Sequence, residues 1–546
     1  MILAGGQDNH MQYGDLTIKK TSAVLAVAVF IALATYFSIP LQENISSNVG
    51  TLLISFKESA LYYRYDIKLA YKNEGFLAAV MPVFRSTPVP YTPIAKSAQS
   101  VPVLLYHGLI VEPDGENITQ SNFEAQMFAL KAAGWQTIGI EDFYAFVRGE
   151  RQVPDKSFVL TFDDGAKTSY YPVDPILRAL GYKAVTYIIG GHSLHEDRNS
   201  NYYLTVDELR AMQKSGRWDI QAHAQDGHVF QPISVGGDEG HFYTNKLWIS
   251  DKGRLETNEE YKVRIGGDLQ AIDNKLKEVL DINSTSFAFP YGDFAQNKTN
   301  YFNAKSVYLN AVHSNFDIAF FQTWPSAGFT QNFPESKPFL VKRIDVGGYW
   351  TADDLLGAMN YGRPKFLPYY AGLHPEDGWI KEWGDLVFSD NQLLISSLSG
   401  LNGGTIFLDG TYGWTDYAFE AAIDWVRGET ASLMARHKDS YNFVSCSFSN
   451  RYMNIDEYVN GERKRLTSAP IKTTLSWDNA RVGVQVRGKH VECLIDGRVV
   501  ASSDDMNPAL KNGGIGFKTW DPKPDNSSII VREVKVTSLA QTAYAQ

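Results

Sequence analysis

The chain changes its hydrophobic rhythm twice. From about residue 101 to 362, short apolar runs alternate with longer amphipathic stretches. The runs Val101–Tyr106, Ser157–Phe162, Ala184–Ile189, Trp218–Ala222 and Phe287–Tyr291 read as buried strands. Between them lie helical patterns. Ser121 is placed to cap one through Phe123, Met127 and Leu130, which Gly134 stops. A second runs from Val173 to Leu180, and a third opens on the capping box Thr205 to Glu208 and ends near Gly216. A fourth shows a core-facing stripe at Tyr261, Ile265, Leu269, Ile272, Leu276 and Val279. Strands alternating with helices of this length predict a parallel sheet, and their number suits an α/β fold of distorted (β/α) barrel type. A barrel gathers its chemistry at the C-terminal ends of its strands.

Beyond about residue 363 the rhythm shortens to alternation bounded by turns. Tyr417–Ile423, Tyr441–Phe448, Arg481–Arg487, Val491–Ile495 and Ile529–Val536 predict strands, with Asp496-Gly497 as a hairpin turn. This predicts an all-β sandwich over 363–540. The stretch His490–Arg498, followed by Gly513–Phe517, resembles the laminin-G or concanavalin-like jelly rolls, which implies a carbohydrate-binding domain. Trp414, Trp425, Trp477 and Trp520 could stack on sugars there, though tryptophans in a sandwich serve more often as core.

Ahead of the barrel, residues 21–39 carry no charge and follow Lys19 and Lys20. The run is just long enough for a transmembrane anchor, with 1–20 in the cytoplasm and everything later outside. A cleaved signal peptide competes, helped by Ala32-Leu33-Ala34. Residues 40–100 then form a stem with a linker extended by Pro82, Pro88, Pro90 and Pro93. Residues 101–362 are the expected catalytic domain. The expected location is a single-pass protein of the inner or plasma membrane with its catalytic domain on the periplasmic or extracellular side.

A formal charge of −10 offers no basic field, so nucleic acid is not an expected partner. Two cysteines, Cys446 and Cys493, are too few for a disulfide framework or a cysteine-rich zinc site, and leave one disulfide open.

The chemistry gathers at Thr161-Phe162-Asp163-Asp164-Gly165, where a buried strand runs out into two adjacent carboxylates. Such neighbours repel unless a cation lies between them or one holds a proton. An Asp-Gly turn is the plainer alternative. Downstream, Trp218–His228 leads a second strand into a loop holding His223 and His228. One aspartate and two neutral imidazoles are the donors a catalytic zinc favours, with a position left open for water. A third segment, Phe287-Ala288-Phe289-Pro290-Tyr291-Gly292-Asp293, ends another strand.

Together the three segments resemble the polysaccharide deacetylase family, carbohydrate esterase family four, over roughly Val101 to Asn360. The resemblance implies a metal held by Asp164, His223 and His228, Asp163 as general base, and the Tyr291 backbone N–H at the oxyanion beside Pro290. The metal it implies is divalent and suits zinc, while nickel, cobalt or iron would accept the same donors. The family's third motif usually carries an arginine where this chain has Phe287. That form, with the Tyr106-His107 strand end, looks like the branch that deacetylates poly-N-acetylglucosamine in biofilm matrices. The family's fifth-motif histidine is not evident; the nearest match, Phe339–Val346, offers Arg343 and Asp345, taken as substrate-binding. The general acid is therefore open, with His107 as first choice and a structural histidine as the alternative. Trp324 could line the sugar site, or pack. The expected activity is metal-dependent removal of N-acetyl groups from an acetylated N-acetylhexosamine polysaccharide. O-deacetylation of a glycan such as xylan is the close competitor, and an inactive glycan-binding or matrix-assembly protein is the other alternative.

Overall fold

Seven parallel strands close into a ring. They are β1 (Val103–Tyr106), β3 (Ser157–Phe162), β4 (Ala184–Ile189), β5 (Trp218–Ala224), β10 (Ser286–Ala288), β11 (Ile318–Thr323) and β12 (Leu340–Asp345), in that order around the barrel. A short β2 (Gln136–Thr137) adds to the start of β3. Parallel pairing of β1 with both β3 and β12 shuts the ring. The structure is a computed structural model that describes residues 97–539 apart from 115–116, 196–199, 297, 324–329, 335–337 and 472–476. The expected membrane span 21–39, its flank 1–20, nearly all of the stem and Trp324 lie outside the described residues. Among the described residues no helix is long and apolar enough to cross a membrane.

The strands are buried on both faces, which is why they read as unbroken apolar runs. Outside the ring, Leu104, Phe158, Leu160 and Phe162 pack against helix residues Phe123, Met127, Ile176 and Leu177. Inside it, Val103, Val159, Val185, Tyr187, Phe320 and Val341 form a second cluster. The helix Ile140–Val147 stoppers that cluster from the N-terminal side, its Phe143 ring stacked on Phe320 at 5.8 Å. Apolar filling below leaves only the C-terminal mouth for polar groups.

Helix positions follow the sequence signals closely. Thr205 and Glu208 make the expected capping box and Gly216 ends that helix in the left-handed region. The stripe at Tyr261, Ile265, Leu269, Ile272 and Leu276 is fully buried on the helix Asn258–Leu280. Two details differ. The cap of the helix Gln120–Ala132 is Thr119, whose hydroxyl accepts from the Asn122 N–H, not Ser121. The segment between His228 and Arg254, which reads as a glycine-rich loop, forms two hairpins: β6 (Phe230–Pro232) with β7 (Glu239–His241), and β8 (Trp248–Ile249) with β9 (Arg254–Leu255).

After the barrel come two antiparallel sheets. One contains Gln392–Ser396, Ser528–Ser538, Tyr417–Arg427, Ala480–Arg487 and His490–Ile495; the other contains Gly403–Leu408, Gly514–Trp520, Thr430–Asp439, Asn442–Phe448 and Tyr452–Val459. Their inner faces share one core, with Phe419 of the first edge-on to Phe517 of the second at 5.4 Å. Asp496 and Gly497 both take positive φ, as a two-residue hairpin turn requires. Trp414 is buried and donates to the Lys365 carbonyl, Trp425 and Trp477 meet edge to face at 4.8 Å, and Trp520 is the exposed one.

Cys446 and Cys493 are paired, which ties one sheet to the other across 47 residues of sequence. A loop of that length, if opened, returns about 4 kcal/mol of chain entropy to the unfolded state. Replacing both cysteines by serine is expected to lower the stability of the sandwich by up to that amount, read as a lower denaturant midpoint by circular dichroism.

Candidate metal and catalytic site

β3 delivers Asp163 and Asp164 to the C-terminal mouth, and the two carboxylates part company there. Asp164 sits at φ 71° and Gly165 follows at the same angle. Two successive left-handed residues turn the chain sharply, and a side chain at Gly165 would meet Ile188 Cγ2 at 3.0 Å. A non-glycine residue in this region stores strain, which persists only where the surroundings impose it.

Asp163 is 1% exposed and accepts two hydrogen bonds from Arg343, at 2.6 and 2.7 Å. Burial pushes its carboxyl up, but Arg343 and then His223 hold it below the usual carboxylate range. Arg343 comes from β12 and is itself fully buried, with Tyr187 and Phe320 rings beside its guanidinium. That corrects the expectation that Arg343 binds substrate: no part of it reaches solvent, and its fork is already filled by Asp163. Phe287 is core, packed on Phe289 and Phe316.

Asp164 faces two histidines instead. Its Oδ1 lies 3.5 Å from Nε2 of His223 and 3.5 Å from Nε2 of His228. The ligating atoms of the three residues fall within 4.8 Å of one another. That buried Oδ1 has no hydrogen-bond partner among the described residues. An orphaned carboxylate oxygen between two imidazole nitrogens fits a divalent cation, since a buried polar atom without a partner is otherwise expensive. His223 Nδ1 lies 2.8 Å from the Ala288 carbonyl of β10. With Nδ1–H donating there, Nε2 is left as a lone-pair donor toward the site. Burial pulls His223 down, yet Asp163 and Asp164 together hold it above its ordinary value. Burial and then the neighbouring His223 lower His228 to about 4.

Pro290 and Tyr291 follow β10 and stand over His228. Tyr291 takes φ 58°, and its ring lies 4.3 Å from that of His228. Its other neighbours come from the hairpin insertion. The His241 ring stacks flat on Tyr291 at 4.4 Å, and its Nδ1 bonds Asp293 Oδ2 at 2.6 Å. Thr244 donates to the same oxygen at 2.9 Å. The insertion therefore clamps the Pro290–Asp293 turn from both its ring and its carboxylate. The only sequence signal was a histidine within a glycine-rich stretch, and nothing local marks its partner.

His107 and Asp345 lie at neighbouring strand ends of the same mouth. His107 follows β1, and the register sets Leu105 of β1 beside Asp345 of β12. Burial pushes the Asp345 carboxyl up, and His107 is the strongest group pulling it back.

Residues 150–308 match the family model described as polysaccharide deacetylase. The poly-beta-1,6-N-acetyl-D-glucosamine N-deacetylase of Escherichia coli strain K12 is 27% identical over 187 residues, 32% of this chain and 28% of that protein. The protein of that name from Staphylococcus aureus strain MRSA252 is 30% identical over 176 residues, 32% of this chain and 54% of that protein. The chain thus spans between about a quarter and half of the length of these relatives. Among solved structures, a de-N-acetylase from Aggregatibacter actinomycetemcomitans aligns over 47% of this chain and 99% of that chain, at 20% identity and a TM-score of 0.40.

Two outcomes follow from the electrostatics. Because Asp163 and Asp164 hold His223 above its ordinary value, loading zinc should release protons, and affinity should fall as pH drops. Calorimetry in two buffers of different ionisation enthalpy measures that release, and Asp164→Asn should abolish uptake. Arg343→Met should destabilise the barrel by about 3–5 kcal/mol by leaving Asp163 buried and unpaired. Adding Asp163→Asn should recover part of that loss in urea unfolding.

Proposed function

We propose that the protein is a metal-dependent hydrolase that removes N-acetyl groups from an N-acetylhexosamine polysaccharide of the poly-N-acetylglucosamine kind. The observation that carries this reading is the trio Asp164, His223 and His228 around an orphaned carboxylate oxygen, with the Arg343-bound Asp163 alongside. The names of the curated relatives support the choice of substrate.

A divalent ion bound by these three residues, zinc by the donor set, supplies a polarised acetyl carbonyl and a more acidic water. Asp163 takes the proton of the attacking water. Its carboxylate is ionised at neutral pH because Arg343 and His223 outweigh burial, and His223 Nε2 lies 3.9 Å from its Oδ2. As the water oxygen bonds to the acetyl carbon, negative charge gathers on the former carbonyl oxygen. The backbone N–H of Tyr291 is assigned to that oxyanion, on a turn held in place by Pro290 and by the His241 and Asp293 clamp. Breaking the C–N bond frees an amine that needs a proton, and His107, beside Asp345, is assigned to give it. Acetate and a free amino sugar are the products.

The same reading extends to the segments outside the described residues. The uncharged run 21–39 is proposed as a single-pass anchor that places the barrel on the outer side of the membrane, near a surface polysaccharide.

The test is acetate release from β-1,6-linked N-acetylglucosamine oligomers by the full chain, with and without chelator. Release is expected, abolished by chelator, restored by zinc, and lowered at least about a hundredfold in kcat by Asp163→Asn. Release from O-acetylated xylan alone would point to the esterase; release from neither by a folded, metal-loaded chain would point to the glycan-binding alternative.

A further inference from the structure

Two exposed aromatic side chains flank the metal-binding trio, and the proposed chemistry uses neither. Phe230 opens hairpin β6–β7 and is 51% exposed. Its ring lies 5.2 Å from Tyr291 and 4.7 Å from His241, so one side is packed and the other faces solvent. Tyr291 in turn touches His228, so Phe230 is two rings from a ligand. Tyr202, 56% exposed, stands on the opposite flank. Its carbonyl accepts from the Lys167 N–H at 2.7 Å, Tyr203 bridges to Ala166, and Leu204 donates to the Gly165 carbonyl at 2.9 Å. The segment is thereby laced to the residues directly after Asp164. Tyr203 meets Tyr202 edge-on at 4.7 Å and lies flat on His192 at 4.3 Å, which holds the outer ring from beneath.

The strand order sets these two rings apart. Around the barrel the sequence is β10, β5, β4, β3. Phe230 belongs with the β10 and β5 ends, through Tyr291. Tyr202 belongs with the β3 and β4 ends, through Ala166 and His192. Asp164 follows β3 and His223 and His228 come from β5 and the loop after it, so the trio spans the mouth from one ring's strand ends to the other's. A large apolar ring left half open, but braced by another ring behind it, offers a rigid flat face at little further entropic cost. The C–H face of a pyranose is the complementary surface. One hexosamine at the metal would occupy only the centre, so platforms on both flanks fit neighbours in both directions along a chain.

We propose that Phe230 and Tyr202 are sugar-stacking subsites on either side of the trio, so that the protein acts on internal residues of a hexosamine polymer rather than on its end. The inference rests on the deacetylase reading for its substrate, but not for its binding test.

The experiment uses the full metal-loaded chain and N-acetylglucosamine dimers and hexamers, with kcat/KM for acetate release and calorimetric affinity for the hexamer measured separately. The wild type should prefer hexamer to dimer, and mass spectrometry of early product should place the free amines at internal residues. Phe230→Ala and Tyr202→Ala should each shrink the hexamer-to-dimer ratio about fivefold and weaken hexamer binding to match, while Phe230→Tyr and Tyr202→Phe keep both. Wild-type indifference to chain length, deacetylation confined to one end, or alanine variants with the wild-type ratio would each overturn the proposal. If no oligomer releases acetate, the deacetylase reading fails by itself. Hexamer affinity then decides the platforms: loss in both alanine variants supports them, and unchanged affinity overturns them.

Discussion

Two adjacent carboxylates at the end of a buried strand cannot both face the same surroundings, and the barrel mouth is arranged around that constraint. Asp163 and Asp164 would repel across a few ångströms of poorly screened space. The fold separates them by backbone and by partner. Asp163 continues the line of β3 into the interior and meets Arg343, while Asp164 turns through a left-handed residue toward the histidines. The guanidinium and carboxylate are both withdrawn from water, so their bond does not by itself imply added stability. What it secures is an ionised, fixed carboxylate with Oδ2 3.9 Å from Nε2 of His223.

The contrast explains how one dipeptide can carry two roles. Asp163 has its two oxygens filled by one rigid fork, which fixes its orientation. Asp164 keeps an unfilled oxygen aimed at His223 and His228. His223 is tied from behind by the Ala288 carbonyl, so the third sequence segment positions a ligand from the second. The three segments are therefore one device distributed over β3, β5 and β10. Apolar packing inside and outside the ring keeps their strand ends in register.

Much of this was legible because it is local. Buried parallel strands must be apolar on both faces, so β3 and β4 announce themselves as runs, and the stripe on Asn258–Leu280 follows from helical period alone. The acid pair and histidines stood out because charged and titratable groups at strand ends are costly to keep without a purpose. What the sequence hid is long-range. Arg343 lies 180 residues from Asp163, and only the closure of β12 onto β1 brings it within reach. The pairing of His241 with Asp293 spans 52 residues and depends on a hairpin whose glycines suggested only a loop. The sandwich showed its alternation but not which strands share a sheet, because strand order is set by tertiary pairing rather than by period.

Ring closure also accounts for the two departures from the family pattern. In an open sheet, edge strands are far apart, and a role assigned to one could not pass to another. In this barrel β12 and β1 are neighbours, and both open onto the same mouth as β3. An arginine on β12 can therefore serve the carboxylate of β3 as well as one on β10 would, and the core takes Phe287 in exchange. By the same geometry His107, which follows β1, opens onto this mouth beside the Asp345 end of β12. A closed barrel constrains where a charge must arrive more tightly than it constrains which strand brings it. Motif loss along the chain is then compatible with an intact constellation in space, which is why the side-chain arrangement at the mouth, and not the motif count, is the firmer guide to what this protein does.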